Sequence, residues 1–268
     1  MTIDKILIEI LDKTSKDQNV AVLLSGGVDS NSLAFAAKRL NKNIKAYTFK
    51  LQNTPNYDSD KASEVAKLYN FECEVIEVPT NNLEQDFIKL AKEYNCIKKT
   101  HFECTFPFLY VYPKIKEYEI ISGIAADGHY GVSKKACIHY KSPKSKFDEF
   151  RIKYFSQKNP AGLIQQQLLA KQYGKKFIAP YLESDIINFF RKYDWYELNK
   201  PFQKHHVVTA FNEFKNFKFK KHINLQLGSG INHLFETLIQ NKNINLKNRK
   251  RVMDICKDWS SNKGMLTI

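Results

Sequence analysis

Apolar positions along the first half of the chain alternate between two periods. Ile6, Leu7, Ile10 and Leu11 fall at helical spacing within 4–17 and predict a lead-in helix. A continuous apolar strand over 19–24 follows, then a glycine turn and a helix ending near Leu40. A second strand is expected from Ile44 to Phe49. Asp58 opens a further helix with Ala62, Val65, Ala66 and Tyr69 on one face. Phe71 to Val78 reads as a third strand and 83–95 as the next helix, and Tyr118 to Gly123 as a core strand ending in its own glycine. Strand and helix alternating at this spacing predict an α/β fold, a doubly wound parallel sheet with helices on both faces.

Beyond that strand the pattern changes. Residues 132–160 are polar and lysine-rich without a clear period, and a loop or mobile flap is expected there. From 161 onward the reading is mostly helical, over 162–173, 184–193, 204–214, 231–240 and 247–258. The expected organisation is an α/β core over 1–131, the flap over 132–160 and a helical extension over 161–268.

The strand at 19–24 runs directly into Ser25-Gly26-Gly27-Val28-Asp29-Ser30. Two glycines allow a sharp turn that presents backbone N–H groups. A helix start beyond them adds donors and a positive dipole end, and Ser30 is expected to cap that helix. The result is a cradle for a phosphate group. A carboxylate inside such a cradle, Asp29, calls for Mg²⁺ to bridge the like charges. Ser122-Gly123-Ile124-Ala125-Ala126-Asp127 places a second carboxylate just past another strand, where it faces the same sheet edge. Asp29 and Asp127 are therefore the expected metal ligands. An exposed Asp-Gly turn at Asp127-Gly128 explains the same residues without chemistry.

Composition narrows the class. At 43% hydrophobic residues in 268 positions, the chain can bury one large core. No apolar run reaches the length of a membrane span, and the first residues lack a signal-peptide core. Cys73, Cys96, Cys104, Cys137 and Cys256 form no Cys-x-x-Cys pair, so a reduced, cytoplasmic protein is expected. The net charge of +14 suits ATP and admits a nucleic-acid partner; lysines dispersed along the chain favour compositional bias over a binding patch.

The segment Ser25 to Ser30 closely resembles the PP-loop of the ATP pyrophosphatases, which cleave ATP between the α- and β-phosphates. Ser122 to Asp127 is similar to the second ATP motif of the asparagine synthetase C-terminal domain, Ser-Gly-x-Gly-x-Asp-Glu. Further similarities follow in order: the acidic start at Asp58, Ala179-Pro180-Tyr181-Leu182-Glu183, Lys204 to Ala210, and Lys220-Lys221 through Gln226-Leu227-Gly228-Ser229-Gly230. The resemblance covers roughly residues 15–240 and implies an adenine nucleotide α-hydrolase-like fold. It implies ATP and Mg²⁺ as cofactors, and an amide ligase that adenylates a small carboxylate before an amine displaces AMP. It further implies Ser25, Gly26, Gly27 and Ser30 around the phosphates, Asp29 and Asp127 on the metal, and Lys204 and Lys221 as cations on pyrophosphate. Leu24, Phe49 and Gly123 would line the adenine and ribose pocket.

Departures from the family pattern concern the acceptor. Only residues 1–18 precede the first core strand, so no glutaminase domain is expected, and ammonia, a separate glutaminase or another amine would supply nitrogen. Ile124, Gly128 and Val208 stand where the family carries Glu, Glu and Arg. His101, Glu103 and Cys104 lie close in sequence, but their spacing alone does not define a nucleophile or a metal site. His205 and His206 read as polar helix residues near the pocket mouth. Two other function classes remain open at this point: a PP-loop enzyme modifying a nucleobase in tRNA or DNA, and a non-catalytic ATP-binding protein.

Overall fold

A computed structural model describes residues 1–54, 57–132, 143–216, 225–245 and 247–261. Five parallel strands, β1 (Asn19–Leu23), β2 (Asn43–Leu51), β3 (Glu72–Val78), β4 (Glu119–Ile121) and β5 (Lys176–Ile178), form one sheet in the order β3-β2-β1-β4-β5. The first three strands progress toward one edge and the last two toward the other. The direction reverses between β1 and β4, and that crevice at the carboxyl ends is where ligands bind in such sheets.

Alternation along each strand divides the core in two. Val20 and Val22 of β1 face one core and Ala21 the other; Ile121 and Ile120 of β4 split the same way. Helices α1 (Ile3–Thr14), α2 (Val28–Arg39) and α3 (Tyr57–Tyr69) cover the first face, joined by Ile186, Phe189 and Phe190 from helix Ser184–Phe190. Helix α4 (Leu83–Glu93) and the helices Lys99–Thr105, Leu163–Gln172, Ile231–Asn241 and Arg249–Ser260 cover the second. Phe87 of α4 packs its ring 5.6 Å from Phe235 and 5.5 Å from Trp259, and Trp259 also meets Phe102 at 5.1 Å. The doubly wound parallel sheet expected from the pattern is present, and no helix among the described residues is long and apolar enough to cross a membrane.

Three local expectations need correction. Residues 144–155, inside the expected flap, form a 12-residue helix. It is anchored: Arg151, 1% exposed, donates to the carbonyls of Phe190 at 2.7 Å and Tyr193 at 2.9 Å. Phe155 stacks on His129 at 4.3 Å, and His129 stacks on Phe190 at 4.6 Å. The mostly helical extension also supplies, between its expected helices 162–173 and 184–193, an edge strand that was not expected, β5, paired in parallel with β4. Finally, the N-cap of α2 is Gly27, so Ser30 lies within its first turn and does not cap it.

Candidate active site

The loop after β1 is held by its own side chains. Ser30 Oγ accepts from the Ser25 backbone N–H at 3.2 Å and lies 3.1 Å from Ser25 Oγ, while Ser25 Oγ receives the Gly27 N–H at 3.4 Å. Asn31 Nδ2 donates to the Gly26 carbonyl at 3.1 Å, a brace that the motif did not reveal. Gly26 has φ of +69°, and a Cβ there would stand 2.5 Å from Lys61 Cβ. Only glycine satisfies both constraints. Gly123 makes the second close approach: a Cβ on it would lie 3.3 Å from Asp29 C and from Ser30 N. The ends of β1 and β4 thus meet backbone to backbone.

Asp29 and Asp127, from these two strand ends, converge on one cation. Lys204 Nζ lies 2.6 Å from Asp29 Oδ2 and 2.7 Å from Asp127 Oδ1. The side chain is 3% exposed, and its ammonium sits 4.9 Å from the centre of the buried Tyr130 ring. Burial alone would lower the pKa of the ammonium. The charges of Asp127 and Asp29 and their hydrogen bonds outweigh it and hold the group above its ordinary value. Lys204 adopts left-handed backbone, φ 62° and ψ 24°, just before helix His205–Ala210. For a residue with a Cβ that costs about 1–2 kcal/mol. Below it, Tyr181 Oη lies 2.8 Å from Ser32 Oγ, tying the Pro180 turn to α2. Tyr130 was not singled out from sequence, and Tyr181 only as part of the Ala179–Glu183 segment; Tyr130 follows Asp127 by one helical turn, the only local signal it gives.

Asp29, Asp127 and Lys204 line a cleft of about 930 Å³. Leu24, Phe49, Lys61 and Val65 form its wall beside β2, and Ser25 to Ser30 and Gly123 its floor. Thr100, Cys104 and Gln166 contribute from the side of the second core, and Tyr154 from helix Lys144–Phe155. Every expected site residue among the described ones borders this cleft: Leu24, Ser25, Gly26, Gly27, Asp29, Ser30, Phe49, Gly123, Asp127 and Lys204. Lys221 lies outside the described residues.

The His101–Cys104 group does not form a nucleophilic pair. Burial pushes the Cys104 thiol up to about 12 and the His101 imidazole down to about 4, so neither takes its reactive form near neutrality. Glu103 is buried, raised to about 7, and held 3.5 Å from Lys99. His205 and His206 pack their rings 4.1 Å apart. Among the described residues no group of three or more His, Cys, Asp or Glu side chains is placed to hold a metal ion. Asp29 and Asp127 still fit Mg²⁺, a hard cation that commonly takes one or two carboxylates and completes its shell with phosphate oxygens and water.

No curated protein matches the chain significantly. Among solved structures, NMN synthetase from Francisella tularensis aligns at 18% identity over 82% of this chain and 97% of its own, with a TM-score of 0.37. A protein described as a predicted subunit of tRNA methyltransferase from Methanocaldococcus jannaschii aligns at 16% identity over 76% of this chain and 93% of its own, with a TM-score of 0.35. The sequence model of the asparagine synthase family matches residues 4–216, from the lead-in helix through the turn that follows Lys204. That span contains both strand-end motifs and the lysine between them, and the chain belongs to the asparagine synthase family.

Proposed function

We propose that this protein is an ATP-dependent amide ligase that adenylates a substrate carboxylate, releases pyrophosphate and then passes the acyl group to an amine or ammonia. The observation that carries this reading is the convergence of Asp29, Asp127 and Lys204 beside the Ser25–Ser30 loop at the β1/β4 crevice. Membership of the asparagine synthase family supports it.

In this reading the backbone N–H groups of Gly26 and Gly27, with the Ser25 and Ser30 hydroxyls, hold the β- and γ-phosphate oxygens. Asp29 and Asp127 would hold Mg²⁺, which neutralises charge on the departing pyrophosphate when bound. Lys204 stays an ammonium and adds a fixed positive charge to the leaving group. Leu24 and Phe49 offer an apolar face to the base, and the close β1–β4 contact at Gly123 keeps side chains away from the α-phosphate. A carboxylate oxygen attacks the α-phosphorus in line with the departing pyrophosphate. Removing one preorganised charge of this kind typically costs about 10²–10³ in turnover.

The test is incubation with Mg·ATP, a panel of carboxylic acids and ammonium, followed by nucleotide separation. AMP and pyrophosphate in step with amide product are the expected outcome. ADP and phosphate would contradict attack at the α-phosphorus. Tight nucleotide binding without pyrophosphate release for any acceptor would leave a non-catalytic ATP-binding protein.

A further inference from the structure

Tyr154 stands where the two halves of the cleft meet, and nothing in the ATP motifs accounts for it. Its ring lies against Gly128, the residue directly after Asp127: a Cβ at Gly128 would fall 2.3 Å from Tyr154 Cε1 and 3.0 Å from Cζ, the carbon that bears the hydroxyl. No side chain larger than hydrogen at 128 leaves the ring in place. Tyr154, Asp127 and Cys104 line the same cleft, which places the Tyr154 side chain between the β4 strand end and helix Lys99–Thr105. Burial raises the pKa of the hydroxyl, which remains a protonated donor.

The support behind this side chain is rigid. Tyr154 belongs to helix Lys144–Phe155, pinned by the buried Arg151 to the carbonyls of Phe190 and Tyr193. Phe150 stacks on the Tyr154 ring at 6.1 Å, and Phe155 meets it edge-on at 5.0 Å. A donor fixed on a packed helix is placed far more accurately than one on a loop.

Resting on the ligase reading above, the geometry points to Tyr154 as the acceptor-orienting residue: its hydroxyl donates a hydrogen bond to the acceptor's carboxylate beside Asp127. The bond goes to the oxygen that does not attack. The other oxygen then forms its bond to the α-phosphorus as the bond from α-phosphorus to the bridging oxygen breaks. Pyrophosphate leaves with that electron pair, and Tyr154 keeps its proton throughout. Gly128 is the complementary element, an empty position that lets an aromatic side chain from a distant helix reach the reacting group.

The experiment compares wild type, Tyr154→Phe and Gly128→Ala. Each is assayed for melting temperature, for affinity toward a non-hydrolysable ATP analogue, and for acceptor-dependent ATP–pyrophosphate exchange. The acceptor is the best carboxylate from aspartate, glutamate, succinate, β-alanine and benzoate, with hydroxylamine as the trapping amine. Phe keeps the ring against Gly128 and removes only the hydroxyl. Tyr154→Phe is therefore expected to leave melting temperature and analogue affinity unchanged while acceptor kcat/KM falls about 10–100-fold, as loss of a hydrogen bond to a charged group implies. Gly128→Ala displaces the same ring, and the double variant should be no worse than Gly128→Ala alone. Tyr154→Phe with acceptor kcat/KM within about twofold of wild type overturns the assignment while the ligase reading stands. A wild type that releases no pyrophosphate with any acceptor overturns both.

Discussion

Lys204 Nζ and Asp29 Oδ2, 175 positions apart in the chain, lie 2.6 Å apart in the crevice between β1 and β4. Asp127 completes the arrangement from the other strand end at 2.7 Å. In the proposed ligase this cluster of two carboxylates and one ammonium would stand beside the triphosphate. Lys204 would lower the repulsion that the nucleotide meets, and a divalent cation held by the carboxylates would lower it further.

Charge removal at this cluster should separate catalysis from folding. Asp29→Asn and Asp127→Asn each keep the shape of the side chain, so circular dichroism and gel filtration should match wild type. Pyrophosphate release should fall at least about 100-fold. Full activity in either variant removes that residue from the site. Lys204→Met carries a second effect, because it removes the buried ammonium that bridges the two carboxylates, and its melting temperature should drop as well.

Gly26 makes a different prediction. Alanine there must adopt φ of +69° and place its Cβ against the α3 backbone at Lys61. The left-handed strain alone is about 1–2 kcal/mol, and the clash adds to it. Gly26→Ala should weaken binding of an ATP analogue in calorimetry and lower the midpoint of urea unfolding. Unchanged affinity would show that the turn does not touch the phosphates.

Acid should destabilise the protein through His129. Burial drives its pKa down to about 3, against 6.5 for an exposed imidazole. The unfolded chain binds this proton near pH 6.5 and the native chain only near 3, so stability is full above that window and is lost as pH falls through it. His101, lowered to about 4 by burial, has the same sign. Glu103, raised to about 7 by burial, has the opposite one: its contribution is present below its unfolded value of 4.5 and is lost as pH rises through 7. His129→Phe should flatten the acid side of a melting-temperature profile, keeping the stack between Phe155 and Phe190. A profile parallel to wild type would show that His129 does not stay neutral.

Helix Lys144–Phe155 should behave as part of the core. Its amides are expected to be protected in native-state hydrogen exchange. Arg151→Met should cost about 3 kcal/mol, because it unties the carbonyls of Phe190 and Tyr193 and leaves Asp148 paired with Lys144 alone. Exchange at the rate of a free loop in the wild-type protein would contradict this.

The difference between that helix and its expected loop shows where sequence reading stops. The strand–turn–helix at β1 was legible because Val20 to Leu24 are uniformly apolar and two adjacent glycines can do little but turn. Asp127 was legible because it follows a strand in a parallel sheet, which fixes the face it opens on. Helix Lys144–Phe155 buries Phe147 and Arg151, one turn apart. A buried stripe that includes arginine registers as polar in a search for apolar period. Strand β5 is three residues long, too short for alternation, and is defined only by its pairing with β4. The position of Lys204 depends on a left-handed residue before a six-residue helix, and no pattern of side-chain types announces that.

The family match ends at residue 216, yet the hydrophobic floor under α4 is finished by Phe235, Ile239, Val252, Ile255 and Trp259. Trimming the polypeptide at the homology border would strip those aromatics from Phe87 and Phe102 and bare a broad greasy underside. Such a fragment would retain Asp29, Asp127 and Lys204 and still precipitate. Recognisable ancestry and a self-sufficient folding unit therefore end at different places in this molecule.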